Sequence, residues 1–119
     1  MRLIPYALSD VGRKRQHNED SYLVAPQLSL FAVADGMGGH RAGEKASRMA
    51  VERLRDSLIP PKRSAGKDEV LAHLQKAMYI TGAAIFDAAQ SDPDLAGMGT
   101  TLTSVLVHSQ RAYVAHVGD

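Results

Sequence analysis

The sequence predicts an α+β fold, on three observations. β-prone runs occupy residues 22–25 and 30–34 and recur at 100–107 and 112–117; two helix-period patterns lie between them; and turn residues mark each junction. No internal repeat and no low-complexity segment interrupts this order.

Residues 3–8 alternate weakly and are read as a strand, and residues 9–20 as a polar turn with Gly12 and the basic cluster Arg13, Lys14 and Arg15. The run 22–25 is closed by Pro26, and 30–34 is a continuous apolar stretch, as expected of a strand covered on both faces. The two are expected to form a hairpin through Pro26 to Ser29. After Asp35 come Gly36, Gly38 and Gly39, whose density is expected to end regular structure and to let backbone approach a ligand. From Gly43 onward, Ala46, Ala50, Leu54 and Leu58 recur every four positions, one face of a helix ended by Pro60 and Pro61. Residues 62–67 form a basic linker. A second helix is expected from Asp68, its cap, with Leu71, Leu74, Met78, Thr81 and Ile85 on one face, so that the two helices pack side by side. Residues 91–99 read as a loop, and the last two strands flank a turn at Ser109, Gln110 and Arg111.

Composition narrows the chemistry. The 119 residues allow one domain at most, and 45% hydrophobic residues supply an ordinary core. Without Cys there is no disulfide, thiolate metal site or cysteine nucleophile, so a metal must be held by oxygen or imidazole, which favours magnesium or manganese. A net charge of +1 and 5% aromatics argue against nucleic acid as a partner. No apolar run reaches the roughly 20 residues of a membrane span, and residues 1–15 lack the sections of a signal peptide. A cytoplasmic location is the expectation.

Glu19 and Asp20 precede one strand of the expected hairpin and Asp35 ends the other, so all three carboxylates are expected to converge at one edge. Convergent acids need a cation or a proton, and Gly36 is suited to present its carbonyl to a hard cation. Arg15 offers a bidentate fork for a phosphate. By pattern alone the same acids are equally compatible with a solvated turn and a strand end. The glycine-rich loop fits neither a phosphate loop, because Glu44 stands where its lysine belongs, nor the dinucleotide fingerprint, because Arg41 stands where its third glycine belongs.

Ser9-Asp10-Val11-Gly12-Arg13-Lys14-Arg15-Gln16-His17-Asn18-Glu19-Asp20 resembles the first motif of the bacterial metal-dependent Ser/Thr protein phosphatases, the protein phosphatase 2C family. Phe31-Ala32-Val33-Ala34-Asp35-Gly36-Met37-Gly38-Gly39-His40 is similar to their second, Gly99-Thr100-Thr101 to their third, and Val117-Gly118-Asp119 to the start of a fourth that usually continues with Ser-Arg. The resemblance implies part of a four-layer α-β-β-α sandwich, two antiparallel sheets flanked by helices. Residues 1–119 would be the N-terminal portion of a single domain, cut within a motif at Asp119.

The resemblance also implies a Mg2+- or Mn2+-dependent hydrolysis of phosphoserine and phosphothreonine by metal-activated water, on proteins phosphorylated by a Ser/Thr kinase. Asp35 matches the carboxylate bridging two metal ions, and Gly36 the residue whose carbonyl binds one. Glu19 and Asp20 match acids that hold metal-bound waters or ligate weakly, and Asp119 an acid linked to a third, looser site. Arg15 matches the arginine that grips the substrate phosphate, and Thr100 and Thr101 would lie near the metal waters. Met37 stands where eukaryotic relatives carry a histidine, which leaves His40 as the nearest candidate proton donor. The family's later metal carboxylates have no counterpart here, so these residues alone are expected to be inactive or nearly so and to leave sheet edges unpaired. The competing reading is a noncatalytic phosphatase-like regulatory or binding module.

Overall fold

The computed structural model describes residues 19–39 and 41–118. The expected strand at 3–8, most of the polar turn that follows it, and Arg15, His40 and Asp119 lie outside the described residues.

Strand β1 (Asp20–Ala25) and strand β2 (Leu30–Met37) form the expected antiparallel hairpin, closed by a 3-10 turn at Pro26–Leu28. Proline presets the backbone of that turn, and Ser29 leaves it at φ 52°, reversing the chain over few residues. β2 pairs on its other side with β4 (Leu102–His108), which pairs with β5 (Arg111–Val117) through Ser109 and Gln110, both at positive φ, giving the sheet order β1-β2-β4-β5. Two successive residues at positive φ match the right-handed twist of a hairpin.

One expectation is corrected here. The glycines after Asp35 do not end the strand: Gly36 and Met37 continue β2 and pair with β3 (Gly99–Thr100). β3 on one side and the Glu19 carbonyl just before β1 on the other hold Gly36 extended, so tertiary pairing overrides its weak strand propensity.

Both helices lie on one face of the sheet. Helix α1 (Ala42–Ser57) buries Ala42, Gly43, Ala46, Ser47, Ala50, Val51 and Leu54, the face read from the fourfold spacing, and it stops before Leu58 rather than at the prolines. Its small residues let it approach β1 and β2 closely. Helix α2 (Lys67–Ser91) packs against α1 and buries Val70, Leu74, Ala77, Met78, Thr81 and Ile85, with Leu71 only half-buried. Asp68 is not its cap. Gly66 is the N-cap, and Asp68 sits in the first turn, where a negative charge complements the helix dipole. The linker between the helices is tied down by its carbonyls, with His73 Nδ1 2.5 Å from Ile59 O and His108 Nε2 donating to Lys62 O at 2.8 Å.

Alternate residues of the sheet, Leu30, Ala32, Ala34, Leu102, Ser104 and Leu106, turn towards the helices and are buried. The buried hydroxyls are satisfied: Ser21 and Ser47 bond across β1 and α1 at 2.8 Å, and Thr81 donates to Ala77 O. The opposite face carries Tyr22, Val24, Val33 and Val114 exposed, Val33 at 58%. Described residues therefore form one helical layer on one sheet. Leu54 is fully buried on α1 between the sheet and α2, so Leu54→Ala is expected to cost about 2–5 kcal/mol, read as a lower urea midpoint.

Candidate active site

The acids meet at the end of the sheet where β1 begins and β2 ends. Asp20 and Asp35 are cross-strand partners. Gly36 N–H donates to Glu19 O at 2.9 Å, which makes Glu19 and Gly36 a hydrogen-bonded pair. The next pair, Asp20 and Asp35, is then a non-hydrogen-bonded one, the kind that brings opposed side chains closest. Both side chains belong to the face away from the helices and both residues are exposed. With Tyr22, Val33 and Thr101 they line a cleft of about 240 Å³.

Glu19 does not join them. Successive side chains of a strand point to opposite faces, and Glu19 reaches the helix side, where a Cβ on Gly43 would stand 2.5 Å from its Oε1. The three-way convergence is thus resolved into two acids on the open face and a third against the first turn of α1. Alternation along the strand was the signal that separates adjacent acids.

Gly36 is buried at the same junction, and a Cβ there would overlap the carbonyl of Gly43. Two glycines, one per element, allow α1 to start directly behind Asp35. Gly43, overlooked as a site-building residue, carries a sequence signal: a glycine inside the first turn of a helix, where propensity argues against it.

Thr101 faces Asp35 from the other side. Its N–H donates to Asp35 O at 2.9 Å, and its Oγ1 accepts from Asp35 N–H at 3.1 Å. Thr100 Oγ1 donates to Thr101 O at 2.7 Å. Gly118, at φ 102°, passes so close that a Cβ would lie 2.9 Å from Thr101 Cα. The end of β5 therefore arrives at the same edge as the two acids. Met37 is 46% exposed on their face of the sheet.

Donor chemistry decides what such a cleft holds. Two facing carboxylates repel, and like charges opposite one another on a sheet are destabilising; a hard divalent cation relieves this and takes carboxylate oxygens readily. Asp20 and Asp35 fit that role by type and placement, though two carboxylates leave most of an octahedral shell to water and other ligands. Among the described residues, no group of three or more His, Asp or Glu is placed to hold a metal ion. No helix among them is long and apolar enough to cross a membrane.

The chain is similar to known proteins in sequence and in fold. A serine/threonine phosphatase, stp, of Listeria innocua is 40% identical over 114 residues, covering 93% of this chain and 45% of that protein. PstP, a serine/threonine protein phosphatase of Mycobacterium tuberculosis, is 41% identical over 113 residues, 95% of this chain and 21% of PstP. This chain thus spans less than half the length of these relatives. The crystal structure of the M. tuberculosis phosphatase superimposes with a TM-score of 0.79 at 40% identity, over 94% of this chain and 45% of that one. That of the PstP catalytic domain in complex with two manganese ions gives 0.76 at 39%, over 94% and 46%. The sequence pattern of the protein phosphatase 2C family matches residues 12–119. With four ordered motifs, a sheet edge that sets Asp20 opposite Asp35, and a family match over residues 12–119, this chain belongs to the protein phosphatase 2C family.

Proposed function

We propose that this chain forms the N-terminal portion of a single Mg2+- or Mn2+-dependent protein serine/threonine phosphatase domain. The observation that carries this reading is the close cross-strand pair of Asp20 and Asp35 lining an open cleft. The manganese ions of the PstP catalytic domain support the choice of metal.

When bound, the metal ions supply Lewis-acid charge and make water a nucleophile near neutral pH. The residues of this chain do the rest of the positioning. Asp35 would hold the cations, together with Asp20 and the Gly36 carbonyl. Glu19 braces the site from behind, against Gly43, and holds an outer water. Asp119, by its match to the family motif, would ligate a third, looser cation. Arg15 binds two oxygens of the substrate phosphate as a planar fork. The departing serine or threonine oxygen is a poor leaving group, and His40 delivers a proton to it.

The substrates are phosphoproteins made by a Ser/Thr kinase, and the protein works in the cytoplasm. A family-length protein containing these residues is expected to release phosphate from a phosphoserine peptide only when Mn2+ or Mg2+ is supplied, while residues 1–119 alone release little or none. Metal-independent hydrolysis, or none at all in the family-length protein, would sink the proposal.

A further inference from the structure

We propose that Thr101 is a positioning residue for Asp35, its hydroxyl taking the place of a backbone carbonyl in the sheet ladder. In a hydrogen-bonded antiparallel pair the two residues exchange both N–H···O=C bonds. Asp35 and Thr101 make only one of them, from Thr101 N–H to Asp35 O at 2.9 Å. The reciprocal bond from Asp35 N–H goes instead to Thr101 Oγ1, at 3.1 Å. The Thr101 carbonyl left over is taken by the hydroxyl of Thr100 at 2.7 Å.

The exchange is confined to one rung. Regular pairing is present on either side, Val33 with Thr103 in β4 and Gly36 with Thr100 in β3. It also needs two consecutive hydroxyls: the first to occupy the released carbonyl, the second to replace it. A buried or half-buried carbonyl without a partner would cost about 1–3 kcal/mol, which is what Thr100 prevents. Both residues are half-buried.

Gly118 fixes which way Thr101 points. A Cβ on Gly118 would stand 2.9 Å from Thr101 Cγ2, so the methyl lies against the end of β5 and the hydroxyl is turned to Asp35. A β-branched side chain is stiff about its first torsion. Both polar groups of the Asp35 backbone are thereby held by one residue, and that residue is itself held by the next strand. A hydroxyl that accepts still has a proton to donate, and Thr101 lines the same cleft as Asp20 and Asp35.

This assignment rests on the metal-dependent reading of Asp35, and the test separates the two. Thr101→Val keeps shape and β-propensity but removes the acceptor; Thr101→Ser keeps the acceptor. In this chain, the Asp35 amide resonance and its hydrogen-exchange rate are expected to change in T101V and to stay close to the parent in T101S. Mn2+ titrated onto the same samples is expected to bind T101V about tenfold more weakly, as is typical when a partner of a metal ligand is removed, with T101S retaining the parent affinity. An Asp35 amide unaltered in T101V, or equal losses in T101S and T101V, overturns the positioning role. If Mn2+ perturbs Asp35 in none of the three, the metal reading fails, and the amide comparison alone decides the role of Thr101.

Discussion

Asp35→Asn is expected to abolish Mn2+-dependent phosphate release by a family-length protein carrying this segment, while leaving the fold intact or slightly more stable. The two effects have opposite signs because they arise from the same pair of charges. Asp20 and Asp35 face each other on a closely spaced rung, and like charges in that position cost about 0.2–1 kcal/mol. Removing one charge returns that amount to the metal-free fold. The same removal leaves the bound cations with one fewer anionic ligand where they would be shared. Metal charge contributes several kcal/mol at a reacting phosphate, and a loss of about 4 kcal/mol is about a thousandfold in rate. The measurement is paired: hydrolysis of a phosphoserine peptide across a Mn2+ series, and thermal midpoints with and without Mn2+. Mn2+ is expected to raise the midpoint of the parent and not of D35N. Undiminished turnover in D35N, or a lowered metal-free midpoint, would remove Asp35 from the role given to it.

The β-prone run 22–25 and the apolar run 30–34 on either side of Pro26 are enough to place the hairpin, but not its faces: the continuous run suggested a strand covered on both sides, whereas Leu30 and Ala32 are buried and Val33 is exposed among the described residues. The buried face of α1 was equally legible, since Ala46, Ala50 and Leu54 repeat at the helical period. The side of the strand on which each acid falls was also encoded, in the adjacency of Glu19 and Asp20, but a segment read as a turn has no faces to assign. What could not be read were features that depend on a distant partner. The extension of β2 through Gly36 exists only because Gly99 and Thr100 return to pair with it. The hydroxyl substitution at Thr101 requires Asp35, 66 positions away in sequence. Glycine propensity is local, and both outcomes are decided by contacts that close long loops.

Gly36→Ala is expected to be the most destabilising single change at the site, costing about 3 kcal/mol or more, at or beyond the upper end of typical overpacking. The added methyl would overlap the carbonyl of Gly43, which is backbone on the first turn of a helix and has no torsion by which to step aside. Nor can β2 shift away, because Gly36 N–H is bonded to Glu19 O and Gly36 is paired with Thr100 on its other side. Relief requires α1 to lift from the sheet, and α1 is seated there by Ala42, Ala46, Ala50 and Leu54, all of them buried. Gly39 and Gly82 supply the controls, since a Cβ at either meets nothing within 4 Å. Gly39→Ala is expected to be close to neutral, and Gly82→Ala, inside α2, to stabilise by about 0.5–1 kcal/mol through helix propensity. Urea midpoints of the three variants test this directly. A Gly36→Ala midpoint close to that of Gly39→Ala would mean that helix and strand do not meet as closely as Gly36 and Gly43 indicate. Because Asp35 precedes the crowded residue, the same substitution is expected to weaken Mn2+ binding in whatever fraction stays folded, which ties the glycine contact to the site.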